Sequence, residues 1–311
     1  MSLKSIPFSS GEPGTCYYRE WPATSQQPRA WIHIMHGMAE HSGRYSDLAE
    51  YLNQQGYHVS ADDHRGHGKT GEANHNLFHF ADNDGWNQMV DDQLQLIEHI
   101  GSQQSAPLII IGHSMGSFIA THLCQRYSAQ LSKRLQGLVL SGSNYAPAWF
   151  CRSASQIARI ERARLGGRAV SKLLEAMSTG SFNNAFKPVR TDKDWISSDE
   201  SVVDRYIADP LCGGTLTTQS WYDFLRGLAE LSSVDAMAKI HSELPIYLLS
   251  GALDPVGGQG KGVKKLASVL EAAGVKRVAC RLYDGGRHEI FNEPNNQLVY
   301  RDLVDWLKTL T

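Results

Sequence analysis

Ser114, Asp254 and His288 have the types and chain order that a nucleophile, an orienting acid and a general base require. A serine hydroxyl becomes a nucleophile only when a base takes its proton and an acid orients that base. Ser114 stands in Gly112-His-Ser-Met-Gly116, after the apolar run Pro107-Leu-Ile-Ile-Ile111 and before the helical pattern Phe118, Ile119, Leu123 and Tyr127. That is a G-x-S-x-G turn between a strand and a helix, which raises one hydroxyl at the edge of a sheet. Glycines flank it because the turn brings backbone segments too close together for a Cβ. Asp254 follows the buried-strand pattern Leu244-Pro-Ile-Tyr-Leu-Leu-Ser-Gly251, and His288 follows the strand pattern Arg277-Val-Ala-Cys-Arg-Leu-Tyr283. Both lie just past a strand's carboxyl end, where open α/β sheets place their ligands.

Each of these residues has a plainer reading. The serine turn could be an ordinary tight turn, Asp254 a helix cap, and His288 a surface-loop histidine. Asp284 is a rival acid, close to His288 in sequence. Asp254 ranks above it because an orienting acid usually reaches the histidine from a separate loop.

Acyl transfer also needs donors for the developing oxyanion. Ala30-Trp-Ile-His-Ile-Met35 reads as a strand running into His36-Gly37-Met38-Ala39-Glu40-His41-Ser42-Gly43. A G-x-S-x-G site takes one donor from the amide after the nucleophile, here Met115. The other comes from the loop after the third strand, where Met38 is the expected donor. Glu40, His41, Ser42 and Arg44 then fall near the leaving-group side. Trp149, Phe150, Ile157 and Leu174 are expected to form an apolar channel on the acyl side.

The elements that must position these residues follow from periodicity. Residues 6–21 read as a hairpin about a Gly-Glu-Pro-Gly turn. Strands over 30–35, 57–61, 107–112 and 136–141 then alternate with helices over 44–55, 86–101 and 115–127. This predicts a mostly parallel sheet with helices on both faces. From Asn144 to about Leu231 the pattern is helical with no convincing strand. Strands resume at Leu244, and 293–310 reads as a closing helix.

In combination, His36-Gly-Met-Ala-Glu-His-Ser-Gly-Arg-Tyr45, Asp63-His-Arg-Gly-His-Gly68, Gly112-His-Ser-Met-Gly116, Asp254-Pro-Val256 and Arg287-His-Glu-Ile-Phe-Asn-Glu293 span the core. With them the chain resembles the α/β hydrolases of the monoacylglycerol lipase and lysophospholipase branch, which includes serine aminopeptidase-like hydrolases. The resemblance implies an α/β-hydrolase core over 1–143 and 233–311, with an inserted helical cap over 144–232. It also implies hydrolysis of single-acyl-chain lipid esters without a cofactor. Ala39 and Ala252 depart from residues common in such chains.

Composition agrees. A chain of 311 residues is long enough for one large α/β domain with an insertion. The net charge of −2 argues against a nucleic-acid partner. No apolar run approaches a membrane span, and the first residues lack a secretory h-region. The five cysteines have no close pair, which fits reduced thiols and a cytoplasmic location. No obligate protein partner is implied.

Two further features carry competing readings. The apolar residues of the central stretch (Ile157, Ile160, Leu165, Val170, Leu173, Leu174) fit packing on their own core. They also fit a lid that touches a membrane peripherally, with Arg152, Arg159, Arg162, Arg164, Arg168 and Lys172 facing anionic head groups. The His33/His36/His41 and His64/His67 groups lack any zinc spacing, so no metal is expected. Asp63 and Arg65 read instead as turn residues bonding neighbouring loops.

The expected reaction is acyl transfer through Ser114, His288 and Asp254. Alternatives are a carboxylesterase or aminopeptidase of small substrates, and a non-catalytic ligand-binding protein of the same fold. Epoxide hydrolases and dehalogenases place an aspartate where Ser114 stands.

Overall fold

In the computed structural model, which describes every residue except Gln26, Thr179 and Thr311, the chain forms one eight-stranded sheet. The strands are β1 (Ser2–Pro7), β2 (Thr15–Trp21), β3 (Trp31–Met35), β4 (His58–Asp62), β5 (Leu108–His113), β6 (Leu135–Ser141), β7 (Ile246–Gly251) and β8 (Val278–Tyr283). Their order is β1-β2-β4-β3-β5-β6-β7-β8. β1 and β2 are an antiparallel hairpin joined antiparallel to β4, and all other pairs are parallel.

The first helices are α1 (Ser46–Gln54), α2 (Gly68–Ala73), α3 (Gly85–Gly101), α4 (Met115–Arg126) and the single turn α5 (Ser128–Leu131). Between β6 and β7 run α6 (Ala148–Leu165), α7 (Lys172–Ser178), α8 (Glu200–Ala208), α9 (Thr218–Leu231) and the single turn α10 (Val234–Met237). α11 (Lys261–Ala272) joins β7 to β8, and α12 (Asn296–Leu307) closes the chain.

The central strands are apolar on both faces because both are covered. In β5, Leu108 and Ile110 pack with Trp86, Met89 and Val90 of α3 and with Leu123 of α4. Ile109 and Ile111 point the other way, towards Leu48 and Leu52 of α1 and Leu303 of α12. The period-two alternation of Cβ direction along a strand divides this one run between two cores.

The region between β6 and β7 holds no strand among the described residues, only one antiparallel bridge between Val170 and Thr217. Many of its buried apolar residues join the core beneath, while Ile196, Tyr206 and Cys212 form a small cluster of their own with Trp195 packed against it. Trp221 and Phe224 of α9 lie in the same cluster as Trp86 and Phe118, with the Phe224 ring 5.6 Å from Trp86 and 6.2 Å from Phe118. α6 packs along α9, and its outer face leaves Trp149, Phe150, Ile160 and Leu165 exposed.

The strand order fixes where a site can form. β3 leads outward to β4 on one side, while β5 lies on the other side of β3. The crevice at the carboxyl ends of β3 and β5 is therefore a topological switch point.

Candidate active site

Ser114 sits at that switch point, between β5 and α4, at φ +50° and ψ −119°. A side chain rarely adopts this left-handed geometry, and such strain clusters at functional sites. Neighbours hold it there: the Ser114 amide donates to the Ser141 carbonyl at 2.8 Å. The Ser114 carbonyl accepts from the Ser117 hydroxyl at 2.6 Å, and that hydroxyl also lies 2.8 Å from Ser143 Oγ. Gly116 has no room for a side chain, since a Cβ there would lie 2.1 Å from the Met35 carbonyl oxygen. That contact presses the start of α4 against the end of β3, which leads into the proposed oxyanion loop.

Asp254 and His288 meet although 33 residues separate them in the chain. His288 Nδ1 is 3.1 Å from both carboxylate oxygens of Asp254. Asp254 is fully buried and also accepts from the Val256 amide at 2.9 Å and the Ser250 hydroxyl at 3.1 Å. Burial works to raise its pKa, but the His288 charge and these hydrogen bonds outweigh burial and hold it below the usual carboxylate value. For His288, burial disfavours the cation, while Asp254, Glu289 and Glu40 favour it and raise the pKa above 6.5. The rival acid Asp284 is exposed and makes no recorded bond to His288.

The loop after β3 runs past the serine. A Cβ on Gly37 would lie 2.7 Å from Glu40 Oε1 and 3.2 Å from Ser114 Cβ, so a larger residue would press the Glu40 carboxylate away from the Gly37 amide it accepts from. Among the described residues neither the Met38 nor the Met115 amide makes a backbone hydrogen bond outside helices and strands. Met115 opens α4 and so has no acceptor within the helix. Ala39 stands at φ +54°, and its carbonyl accepts from the Gly213 amide at 2.9 Å and the Tyr206 hydroxyl at 3.0 Å. Below the loop, His36 Nε2 accepts from the His64 amide at 3.0 Å, so Nδ1 carries the proton and donates to the Gly37 carbonyl at 2.7 Å. Burial keeps His36 neutral.

A cavity of about 180 Å³ opens over these groups. Met38, Ser114, Met115 and His288 all line it. Its apolar wall comes from Phe118 and from Leu216, Trp221 and Phe224 of the region between β6 and β7. Trp195 lies 5.1 Å from the His288 ring, and the Glu289 amide donates to the Ile196 carbonyl at 2.8 Å. The polar lining includes Glu40, Glu175, Lys193 and Glu289.

Not every expected substrate residue faces this space. Trp149 and Phe150 are 68% and 55% exposed on the outer surface of α6, outside the cavity lining. Ile157 and Leu174 pack into the core. His41 Nε2 bonds Asp209 at 2.9 Å, and Ser42 bonds Asp63 and Arg19. Neither lines the cavity. Glu40 does, but its carboxylate is taken up by Gly37, Tyr45 and Arg44, so it supports the loop. Periodicity could not reveal Lys193, Trp195, Trp221 or Phe224, because they reach the site only through the way the region between β6 and β7 folds over it.

Asp63 and Arg65 do tie loops: Asp63 accepts from the Ser42 and Lys69 amides, and Arg65 pairs with Asp92. One group among the described residues, His41, Asp209 and Cys212, brings ligand atoms within 4.8 Å of one another. His41 Nδ1 already accepts from the Gly43 amide at 3.1 Å, so its proton sits on Nε2, which donates to Asp209. A metal would have to displace that proton and leave Nδ1 without one, against the usual second-shell pattern.

Residues 26–295 match the serine aminopeptidase S33 family. The chain belongs to that family of α/β hydrolases. It is 30% identical over 282 residues to a monoacylglycerol lipase of Mycolicibacterium smegmatis, covering 90% of this chain and 88% of that one. It is 26% identical to the phospholipase YtpA of Bacillus subtilis, covering 90% of this chain and 96% of the relative. Among solved structures, a thermostable carboxyl esterase of Bacillus coagulans superposes with a TM-score of 0.90 at 27% identity, over 100% of this chain and 99% of that one. The chain is thus an α/β hydrolase of the lipase and esterase kind.

Proposed function

We propose that this hydrolase cleaves carboxylic esters of single-acyl-chain lipids, with monoacylglycerols as the preferred class. Ser114 attacks the ester carbonyl while neutral His288 takes its proton through Nε2, the nitrogen turned away from Asp254. Asp254 fixes the tautomer and stabilises the imidazolium. The Met38 and Met115 amides receive the oxyanion. His288 then protonates the departing alcohol, and water hydrolyses the acyl-enzyme with the roles reversed. No step needs a cofactor.

The observation that carries the substrate class is the mixed apolar and polar lining of the cavity at Ser114. Phe118, Leu216, Trp221 and Phe224 offer an apolar wall for one acyl chain, while Glu175 and Lys193 offer polar groups for a small hydroxylated alcohol. Kinship with a monoacylglycerol lipase supports the same choice. One residue favours a second reading, lysophospholipid hydrolysis. Lys193 lines the cavity with its side chain 18% exposed, and its recorded ion-pair partner, Asp192, is 82% exposed at 3.5 Å. That weakly paired cation suits an anionic head group.

The exposed Trp149, Phe150, Ile160, Leu165, Val170 and Leu173 are the surface for peripheral contact with lipid. The nearby arginines add less than their number suggests, since Arg164 pairs with Glu161 and Arg168 with Asp82. No helix among the described residues is long and apolar enough to cross a membrane.

The test has two parts. A fluorophosphonate probe should label the protein and fail to label Ser114→Ala; an unlabelled wild type would point to a non-catalytic ligand-binding protein. Monoacylglycerol, lysophosphatidylcholine, tributyrin and an aminoacyl-nitroanilide should then compete at equal concentration, with monoacylglycerol showing the highest kcat/KM. First place for the anilide or the triester would defeat the lipid assignment and leave the serine mechanism standing.

A further inference from the structure

Two buried carboxylates from opposite ends of the chain share one cation. Arg44 Nη1 donates to Glu40 Oε2 at 2.7 Å and to Glu289 Oε1 at 2.6 Å, while Nη2 donates to Glu289 Oε2 at 2.6 Å. Glu40 Oε1 in turn accepts from the Gly37 amide at 2.5 Å and the Tyr45 hydroxyl at 2.7 Å. Gly37 immediately precedes Met38, and Glu289 immediately follows His288. A continuous path of charge-assisted bonds therefore runs from one proposed oxyanion donor to the proposed base.

We propose that the Glu40–Arg44–Glu289 bridge is a positioning device that sets the oxyanion loop against the His288 loop, so that donor and base meet the same tetrahedral carbon. This rests on the serine-hydrolase reading above. The planar guanidinium suits the task, because its fork grips Glu289 through two parallel bonds and still reaches Glu40, which a lysine could not do.

The surroundings hold the bridge in one arrangement. The Tyr206 ring lies 4.8 Å from the Arg44 guanidinium carbon, and its hydroxyl bonds the Ala39 carbonyl. Asn292 donates to Glu289 Oε2 at 3.0 Å. The positive φ of Ala39 is thus held by Tyr206 and Gly213 bonding its carbonyl, while Glu40 holds the Gly37 amide. None of these residues is needed to bind a proton from substrate, so their effect on turnover passes through the loops they hold.

The bridge also has an electrostatic signature. The charged and titratable groups around His288 are Asp254, Glu289, Glu40 and His113, with His113 kept neutral by burial and by the His288 charge, its pKa pushed down to about 4. Glu289 and Glu40 favour the imidazolium, and Arg44 neutralises much of their charge. Removing Glu289's charge should lower the pKa seen on the acidic limb, and removing Arg44 should raise it.

The experiment compares wild type with Glu289→Gln, Arg44→Met and the double variant. Glu289→Gln is nearly isosteric and keeps a bond to Arg44, so it reports even where Arg44→Met folds poorly. Turnover should fall roughly tenfold in Glu289→Gln and about a hundredfold in Arg44→Met, the scale of small misplacements of reacting groups. KM should move far less, and affinity for a boronic acid that mimics the tetrahedral adduct should fall in step with kcat. The acidic limbs should shift in opposite directions. The double variant should lose less than the product of the single losses, because both break the same bridge. Unchanged kcat and unshifted limbs in Glu289→Gln, with only a lower melting temperature, would overturn the proposal. A wild type that no fluorophosphonate labels, or a Ser114→Ala variant that still turns over, would instead overturn the underlying serine-hydrolase reading.

Discussion

Ser114, Asp254 and His288 can each be tested separately, because each role leaves a different trace. Ser114→Ala should fold normally and lose several orders of magnitude in ester turnover, down to what oxyanion donors and binding alone provide. Retention of a tenth of the activity would remove Ser114 from its role. Asp254→Asn should cost on the order of ten-thousandfold through the wrong His288 tautomer. Asp284→Asn should cost little, since that carboxylate is exposed while His288 Nδ1 is bonded to Asp254. Steady-state kinetics on both variants check the ranking. The pH profile follows from the imidazole: only neutral His288 can accept the serine proton, and its pKa is raised above 6.5 by Asp254, Glu289 and Glu40. Activity should therefore rise with pH through a midpoint above 6.5, where an unperturbed histidine would give a midpoint of about 6.5. A midpoint below 6.5 in kcat/KM would contradict that electrostatic balance.

At the scale of elements, the decisive contacts are between α4, β3 and α9. Gly116→Ala would drive a Cβ into the Met35 carbonyl, a backbone atom that cannot swing aside. Overpacking of this kind costs about 1–3 kcal/mol or more, and here it would also displace the oxyanion loop. The expected result is a lower melting temperature together with lost turnover. Phe224 touches Trp86 and Phe118 beneath α9 and also lines the cavity. Phe224→Ala should cost about 3–5 kcal/mol in stability, as large aromatic deletions in cores do. It should also change the preference among acyl chain lengths, measured with a series of p-nitrophenyl esters. A change in stability with no change in chain-length preference would separate the cavity wall from the acyl site.

For the whole molecule, α6, α7 and α9 of the region between β6 and β7 place Ala158, Leu174, Trp221 and Phe224 in the apolar cluster of the sheet and helices below, while Ile196, Tyr206 and Cys212 cluster apart from it. Such a region should not unfold ahead of the core. Heating should give coincident transitions by circular dichroism and by loss of esterase activity. An early loss of activity, with the secondary structure still intact, would mark the region between β6 and β7 as a separately melting unit. The outer face of α6 should tolerate change far better: Trp149→Ser and Phe150→Ser should leave turnover of a soluble ester intact, because neither residue lines the cavity. Reduced activity confined to vesicle-borne substrate would support lipid contact at that surface.

The sequence by itself determined the sheet, most helices, the strand-to-helix turn at Ser114 and the two strand ends that deliver Asp254 and His288. Those features depend on local periodicity and on glycines placed where backbones crowd, and both are written along the chain. Some boundaries shifted slightly: the helix expected over 44–55 begins as a single 3₁₀ turn at Ser42–Tyr45 before α1, and the closing helix runs over Asn296–Leu307. For α11 the sequence implies only a helix after Asp254 and sets no bounds, although Val263, Leu266 and Leu270 are spaced to line one helical face. Only the tertiary structure decided which polar and aromatic side chains share the cavity. Trp149 and Phe150 have the right chemistry for an acyl channel but point outward, while Trp221 and Phe224 point in. The pairing of Arg44 with Glu289 is equally invisible in the chain, because a salt bridge between distant residues leaves no period. Local patterns specify elements; which residues meet is set by how packing brings those elements together.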